Sequence, residues 1–201
     1  QKYLIPTING ERQSCFAITE PGAGYDARNT KTRAVRDGDD WIINGEKIFI
    51  TGGNEADFVM VFAVTDPEKG SEGGITCFLV DRDMGWTSSP IATMGEWGPA
   101  SLLFDNVRVP NENVLGEVGW GFKLAMQWIG NGRYLIPSTA IGGAERLLEM
   151  AIEHAKNRES MGRPIADYQA IQWQIADSYV EIEQAKWLTL FAAWQLENNQ
   201  D

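Results

Sequence analysis

Basic residues, histidine and cysteine are all scarce in this chain of 201 residues. Lys and Arg number 17 against 28 Asp and Glu, a formal charge of −11 at pH 7. Binding a polyphosphate backbone or an anionic bilayer calls for a basic surface, so the balance argues against nucleic acid and membrane as partners. It leaves open a phosphate-bearing cofactor, which needs only local arginines and backbone donors. The two cysteines, Cys15 and Cys77, sit in separate apolar runs. They read as buried thiols of a reducing compartment, in preference to a disulfide or a metal pair. The one histidine, His154, lies among charged neighbours on a helical stretch and reads as a solvated helix-end residue, so no metal site is expected. No apolar run has the length of a membrane span, and no leader, low-complexity tract or solenoid period stands out.

What is present is a globular composition, 43% hydrophobic and 22% charged, in a chain long enough for one or two domains. From about residue 14 to 115 the texture is strand-like, with strands expected at 15–19, 31–37, 40–44, 46–51, 57–65, 75–81, 86–93 and 101–109. Turn signals at Asp37-Gly38-Asp39, Asn44-Gly45 and 66–74 separate them. Short strands at this spacing suggest an antiparallel barrel or sandwich.

Near Gly116 the texture changes. Glycines at 116, 119 and 121 release the chain, and helix formers take over. Helices are expected at 121–129 and about 133–157, broken near Gly130-Asn131-Gly132, with Pro137 tolerated in a first turn or kinking the second. A loop over 158–167 precedes a long helix from about Tyr168 to Glu197. Broad apolar faces on two or three helices need further partners, so the helical part reads as the opening of a larger bundle. The expected organisation is a β-domain over 1–115 and first helices of an α-domain over 116–201, an α+β multidomain class.

Two strand ends stand out. Cys15-Phe16-Ala17-Ile18-Thr19 stops at Glu20-Pro21 and is followed by Gly22 and Gly24, which suit positive φ or close approach to a ligand. The segment Lys47-Ile48-Phe49-Ile50-Thr51-Gly52-Gly53 repeats the scheme of aromatic, threonine and glycines. Two threonine-tipped edges in one sheet make a floor for a flat cofactor with polar edges.

These words, together with Phe104-Asp105-Asn106-Val107-Arg108-Val109-Pro110, Gly116-Glu117-Val118-Gly119-Trp120-Gly121-Phe122 and Arg158-Glu159-Ser160-Met161-Gly162-Arg163-Pro164-Ile165, stand in the order found in a known family. From about Ser14 onward the chain resembles the flavin-dependent acyl-CoA dehydrogenases. The resemblance implies a middle β-barrel domain plus the start of a C-terminal helical domain, with an N-terminal helical domain and later helices missing from this stretch. It implies FAD, an acyl-CoA substrate, an electron-transferring flavoprotein as electron acceptor, a homotetramer, and residence in a bacterial cytoplasm or the mitochondrial matrix.

By the same resemblance, Phe16, Ile18, Thr19, Phe49 and Thr51 contact the flavin ring, where donors steady the charge gained on reduction. Many members carry Trp where Phe49 stands. Arg158 matches an arginine on the FAD pyrophosphate, usually across a subunit interface, and its fork suits bidentate phosphate contact. Ser160 and Gln169 match helpers there, and Met161 replaces a common Phe. Arg133, at the expected helix break, matches an arginine near the acyl-CoA site. Tyr25 stands where a serine usually approaches the pantetheine arm, so its ring would narrow or redirect the channel. The loop Met94-Gly95-Glu96-Trp97-Gly98-Pro99-Ala100 looks shorter than the family norm. Abstraction of an α-proton needs a carboxylate, yet the position before Arg133 is Gly132, which cannot serve. No catalytic residue is assigned in this chain; the base is expected downstream, and the 201 residues by themselves are expected to be inactive. Within the fold, an oxidase, a monooxygenase or a desulfinase are alternatives, as is a non-catalytic β-barrel interaction module.

Overall fold

The structure is a computed structural model and describes residues 2–95 and 98–198. It divides into two compact units, Gln1–Met126 and Gln127–Asp201. In the first, a short helix α1 (Leu4–Ile8) precedes seven strands: β1 (Ser14–Ala17), β2 (Arg33–Asp37), β3 (Asp40–Thr51), β4 (Phe58–Val64), β5 (Ile75–Asp81), β6 (Thr87–Pro90) and β7 (Pro99–Pro110). They form one curled sheet in the order β1-β4-β2-β3-β7-β6, with β5 on the other edge of β4.

The sheet is mixed where an antiparallel one was expected: β1 lies parallel to β4, and β2 meets β4 in parallel at Arg33 and Val64. The other ladders are antiparallel. The long excursion from β1 through β2 and β3 before β4 makes parallel return possible, since a parallel pair needs a crossover and not a tight turn.

Alternation along β3 and β7 fixes which face is inward. Trp41, Ile43, Ile50, Ala100, Leu102, Phe104, Val107 and Val109 are buried in one continuous core with Phe78, Val59, Val61 and Trp86. A second cluster on the other face gathers Phe62, Ile75, Cys77 and Ala125, with Phe16, Ile18, Phe122 and Leu124 partly buried against it. Burial pushes both thiols up, Cys15 and Cys77 each to about 12.

The strands expected at 40–44 and 46–51 are one. Gly45 carries the chain through at φ 152°, where a Cβ would stand 2.4 Å from Thr32 Oγ1. The register of β3 on β7 slips twice, between Ile43 and Gly45 and between Lys47 and Ile50. The first slip puts the extra residue on β7, where Asn106 sits at φ 52° and donates its N–H to Asn44 Oδ1 at 2.8 Å. The second puts the extra residue on β3, with Phe49 at φ 59°.

The sheet unit continues past the change of texture at Gly116. Gly119 donates its N–H to Thr76 Oγ1 at 2.9 Å, and Trp120 bridges to Ile75. Gly121 passes so close to β5 that a Cβ there would meet Thr76 C at 2.6 Å and Cys77 N at 2.7 Å.

Helix α2 spans Gly121–Asn157. The break expected at Gly130–Gly132 is absent: the helix runs through. Gly130 and Gly132 each cost about 1 kcal/mol against alanine, a sum that the helix formers on either side offset. Pro137 lies inside the helix and has no N–H for the Arg133 carbonyl. In the next turn, Ser138 and Thr139 hydroxyls donate to the Tyr134 and Leu135 carbonyls at 2.7 and 3.0 Å.

The second unit adds α3 (Gln169–Glu197) and, where a loop was expected, a two-residue hairpin of β8 (Glu159–Ser160) and β9 (Arg163–Pro164). Met161 at φ 52° and Gly162 at φ 78° make its turn, the double positive φ of a tight hairpin. Apolar side chains remain exposed around α3, among them Trp173, Trp187, Leu188, Phe191 and Trp194.

Candidate functional site

The end of the 14–19 run and the end of β3 lie side by side. Ile48 donates its N–H to the Thr19 carbonyl at 2.9 Å, and Lys47 Nζ reaches the Ile18 carbonyl at 3.2 Å. The strand expected over 15–19 ends at Ala17, and the Ile18–Thr19 segment just past it lies against β3 at Lys47 and Ile48. Phe16 and Ile18 point to the second cluster, with the Phe16 ring 4.8 Å from that of Phe62. Thr19 is half-buried, and Thr51 is exposed beyond it.

Phe49 is the least ordinary residue here. A bulky side chain at positive φ costs on the order of 1 kcal/mol. Bulges re-aim side chains and gather beside binding sites. This one turns an aromatic ring outward with 61% of the residue exposed. An apolar ring, the half-buried Phe16 and Ile18 of the adjoining segment, and threonine hydroxyls suit a flat aromatic ligand with a polar rim.

Beneath this surface is a buried ion pair that the sequence reading did not assign. Lys47 is fully buried, and its Nζ lies 2.8 Å from Glu20 Oε1 and 3.4 Å from Thr30 Oγ1. Glu20 also accepts from the Lys31 amide at 2.6 Å, the Thr32 amide at 3.0 Å and the Thr30 hydroxyl at 3.3 Å. Burial raises the Glu20 carboxyl, but the Lys47 ammonium and the Lys31 amide outweigh it and hold the group below the ordinary carboxylate value. For Lys47 itself burial pulls the ammonium down, against the opposing pull of Glu20. Phase gives the missing signal: Trp41 and Ile43 face inward, so Lys47 on the same phase must be buried and needs an anionic partner.

The Glu20–Ala23 turn closes by reciprocal backbone bonds at 3.1 Å. Gly22 and Gly24 do not take positive φ there, and each faces open space. Tyr25 follows, fully exposed. On the far side of Thr51, Gly52 turns at φ 72°. Arg82 holds that loop, donating to the Ala56 carbonyl at 3.1 Å, the Gly53 carbonyl at 3.3 Å and the Asn54 carbonyl, with its guanidinium 4.0 Å from the Trp86 ring. Arg82 too escaped the sequence reading, which has no local signal for a side chain that binds carbonyls.

In the helical unit, Arg158 and Ser160 lie at the β8–β9 hairpin and Gln169 at the start of the following helix. Arg158 follows the last residue of α2 and is exposed, and its carbonyl accepts the Ile165 N–H at 2.8 Å. Tyr168 Oη donates to the Ser160 carbonyl at 2.9 Å, with Arg163 stacked on its ring at 4.0 Å. Gln169 opens α3. A guanidinium and a hydroxyl at an exposed hairpin can hold a phosphate. Arg133 is not at a helix start as expected but inside α2, exposed. Of the loop 94–100, Glu96 and Trp97 lie outside the described residues.

Among the described residues, no helix is long and apolar enough to cross a membrane. The family model for the acyl-CoA dehydrogenase middle domain matches residues 15–107, and that for the acyl-CoA dehydrogenase C-terminal domain matches residues 119–201. The mitochondrial short-chain specific acyl-CoA dehydrogenase of Rattus norvegicus is 39% identical over 98% of this chain and 49% of its own length. Subunit CarC of the caffeyl-CoA reductase-Etf complex of Acetobacterium woodii is 40% identical over 100% of this chain and 54% of its own. The solved structure of butyryl-CoA dehydrogenase from Megasphaera elsdenii superposes with a TM-score of 0.91 at 38% identity, over 100% of this chain and 53% of that one. The chain spans about half the length of the curated relatives it matches.

Proposed function

The chain belongs to the acyl-CoA dehydrogenase family, and we propose that the protein carrying it is an FAD-dependent dehydrogenase of acyl-CoA thioesters. The product would be the trans-2-enoyl-CoA, and an electron-transferring flavoprotein would take the electrons. The observation that supports this most is the junction of the Thr19 and Phe49–Thr51 edges through the Ile48–Thr19 bond. Bound FAD supplies the two-electron acceptor. This chain's own residues bind and orient it. Phe49, Phe16 and Ile18 offer apolar contact to the ring, and Thr19 and Thr51, with their backbone groups, offer hydrogen bonds along its polar edge. Arg158, with Ser160 and Gln169, would hold the pyrophosphate. Tyr25 and Arg133 are proposed contacts of the acyl-CoA, and Gly132 leaves no base beside Arg133.

The whole protein is proposed as a homotetramer of a bacterial cytoplasm or the mitochondrial matrix, with the domain division at residues 115 and 116. The test is FAD titration of the full-length protein, followed by turnover of a panel of acyl-CoA thioesters with electron-transferring flavoprotein or dioxygen as acceptor. Flavin uptake with enoyl-CoA formation through the flavoprotein supports the reading. Turnover with dioxygen alone would move it to an oxidase or monooxygenase, and a colourless protein would leave a non-catalytic module.

A further inference from the structure

We propose that the buried Lys47–Glu20 pair is a positioning device for the flavin, setting the spacing of the Thr19 edge against the Phe49–Thr51 edge. The inference rests on the reading of those edges as a flavin wall. Among the described residues, one backbone bond, Ile48 N–H to the Thr19 carbonyl, joins the 18–20 segment to β3 at this level, and a single bond is a pivot. The pair adds two further links, Lys47 Nζ to the Ile18 carbonyl at 3.2 Å and to Glu20 Oε1 at 2.8 Å. It thereby fixes the residues on both sides of Thr19.

Glu20 in turn gathers the Thr30 hydroxyl and the Lys31 and Thr32 amides, so its carboxylate ties its own segment both to the 30–32 stretch and, through Lys47, to β3. On the other edge, Lys47 stands two residues before Phe49, at the start of the register slip that turns that ring outward. An apolar pair of equal volume would fill the space as well or better. It would leave the Ile18 carbonyl and the Lys31 and Thr32 amides without these partners. The charges therefore specify geometry beyond filling volume, and the geometry they specify is that of the wall.

The test uses the full-length protein with Lys47→Met, Lys47→Arg and Glu20→Gln, and Val109→Ala as a core variant remote from the pair. FAD affinity, visible flavin absorbance and visible circular dichroism are measured below each variant's unfolding midpoint. Lys47→Met and Glu20→Gln are expected to bind FAD about tenfold more weakly, some 1.4 kcal/mol, with altered dichroism of the flavin bands. Lys47→Arg restores part of both, and Val109→Ala changes neither while lowering the midpoint. Unchanged affinity and dichroism in folded Lys47→Met and Glu20→Gln would overturn the positioning role while leaving the flavin reading intact. If Lys47→Met does not fold, Glu20→Gln, which keeps an acceptor oxygen, decides the matter with the same readouts. A wild-type protein that takes up no FAD would overturn the flavin reading itself, and this inference with it.

Discussion

A lysine with no exposed surface is the costliest residue to place in this chain, and its neighbours account for it. Removing one partner of a buried pair strands a charge, so Lys47→Met is expected to lower unfolding stability by about 3–5 kcal/mol in urea titrations. Acid reveals the same pair. Glu20 is held below the ordinary carboxylate value, and so is Asp81, where burial is outweighed by the hydrogen bonds from Lys2, Arg12 and Tyr3. Depressed carboxylates contribute stability that is complete above their unfolded pKa and is lost as pH falls through the folded one. Thermal midpoints should hold level above the ordinary carboxylate range and drop below it, and Glu20→Gln should shrink the drop. A midpoint that stays level into that acid range would contradict the assignment. Cys15 and Cys77, buried and pushed up to about 12, should resist alkylation at neutral pH until the protein unfolds. At this scale Phe16, Ile18, Thr19, Phe49 and Thr51, the residues of the proposed wall, were named by the family resemblance. Of the support beneath them, strand phase could place Lys47 inward, but not its partner, because Glu20 is 27 residues away and meets it only through the fold.

Among the elements, the β3–β7 ladder carries two register slips, and the second turns Phe49 outward. Neither is legible from alternation alone. A bulge breaks the period of two without changing composition, and 40–44 and 46–51 read as separate strands because Asn44-Gly45 is a turn signal, although the extra residue there lies on β7. Gly45 and Gly121 mark close approaches of backbone to backbone or side chain. Gly121→Ala would force the start of α2 off β5, and is expected to cost about 1–3 kcal/mol in chemical denaturation, in the range of overpacked cores. In α2, glycines at 130 and 132 suggested a break that helix continuity overrode, and Pro137 remains as its one imino residue. Pro137→Ala restores an N–H for the Arg133 carbonyl. It should stabilise the helical part by up to about 3 kcal/mol, seen as greater amide-exchange protection around residue 137. No gain in protection would show that the surrounding turns already accommodate the proline.

For the whole molecule, the class of a β-domain followed by helices was legible because the hydrophobic period switches once, near Gly116. The mixed pairing of the sheet was not, since strand order depends on which edges meet and not on any segment's own pattern. Apolar side chains are left exposed around α3, among them Trp173, Trp187 and Leu188. The edges at Thr19 and at Phe49–Thr51 are proposed to make together one wall for the isoalloxazine ring. Locating the ring in a crystal structure of the full-length protein with FAD tests it most directly. The account predicts the ring in van der Waals contact with Phe49 and hydrogen-bonded to the Thr19 or Thr51 segment. A flavin seated elsewhere, with those segments open to solvent, would contradict it.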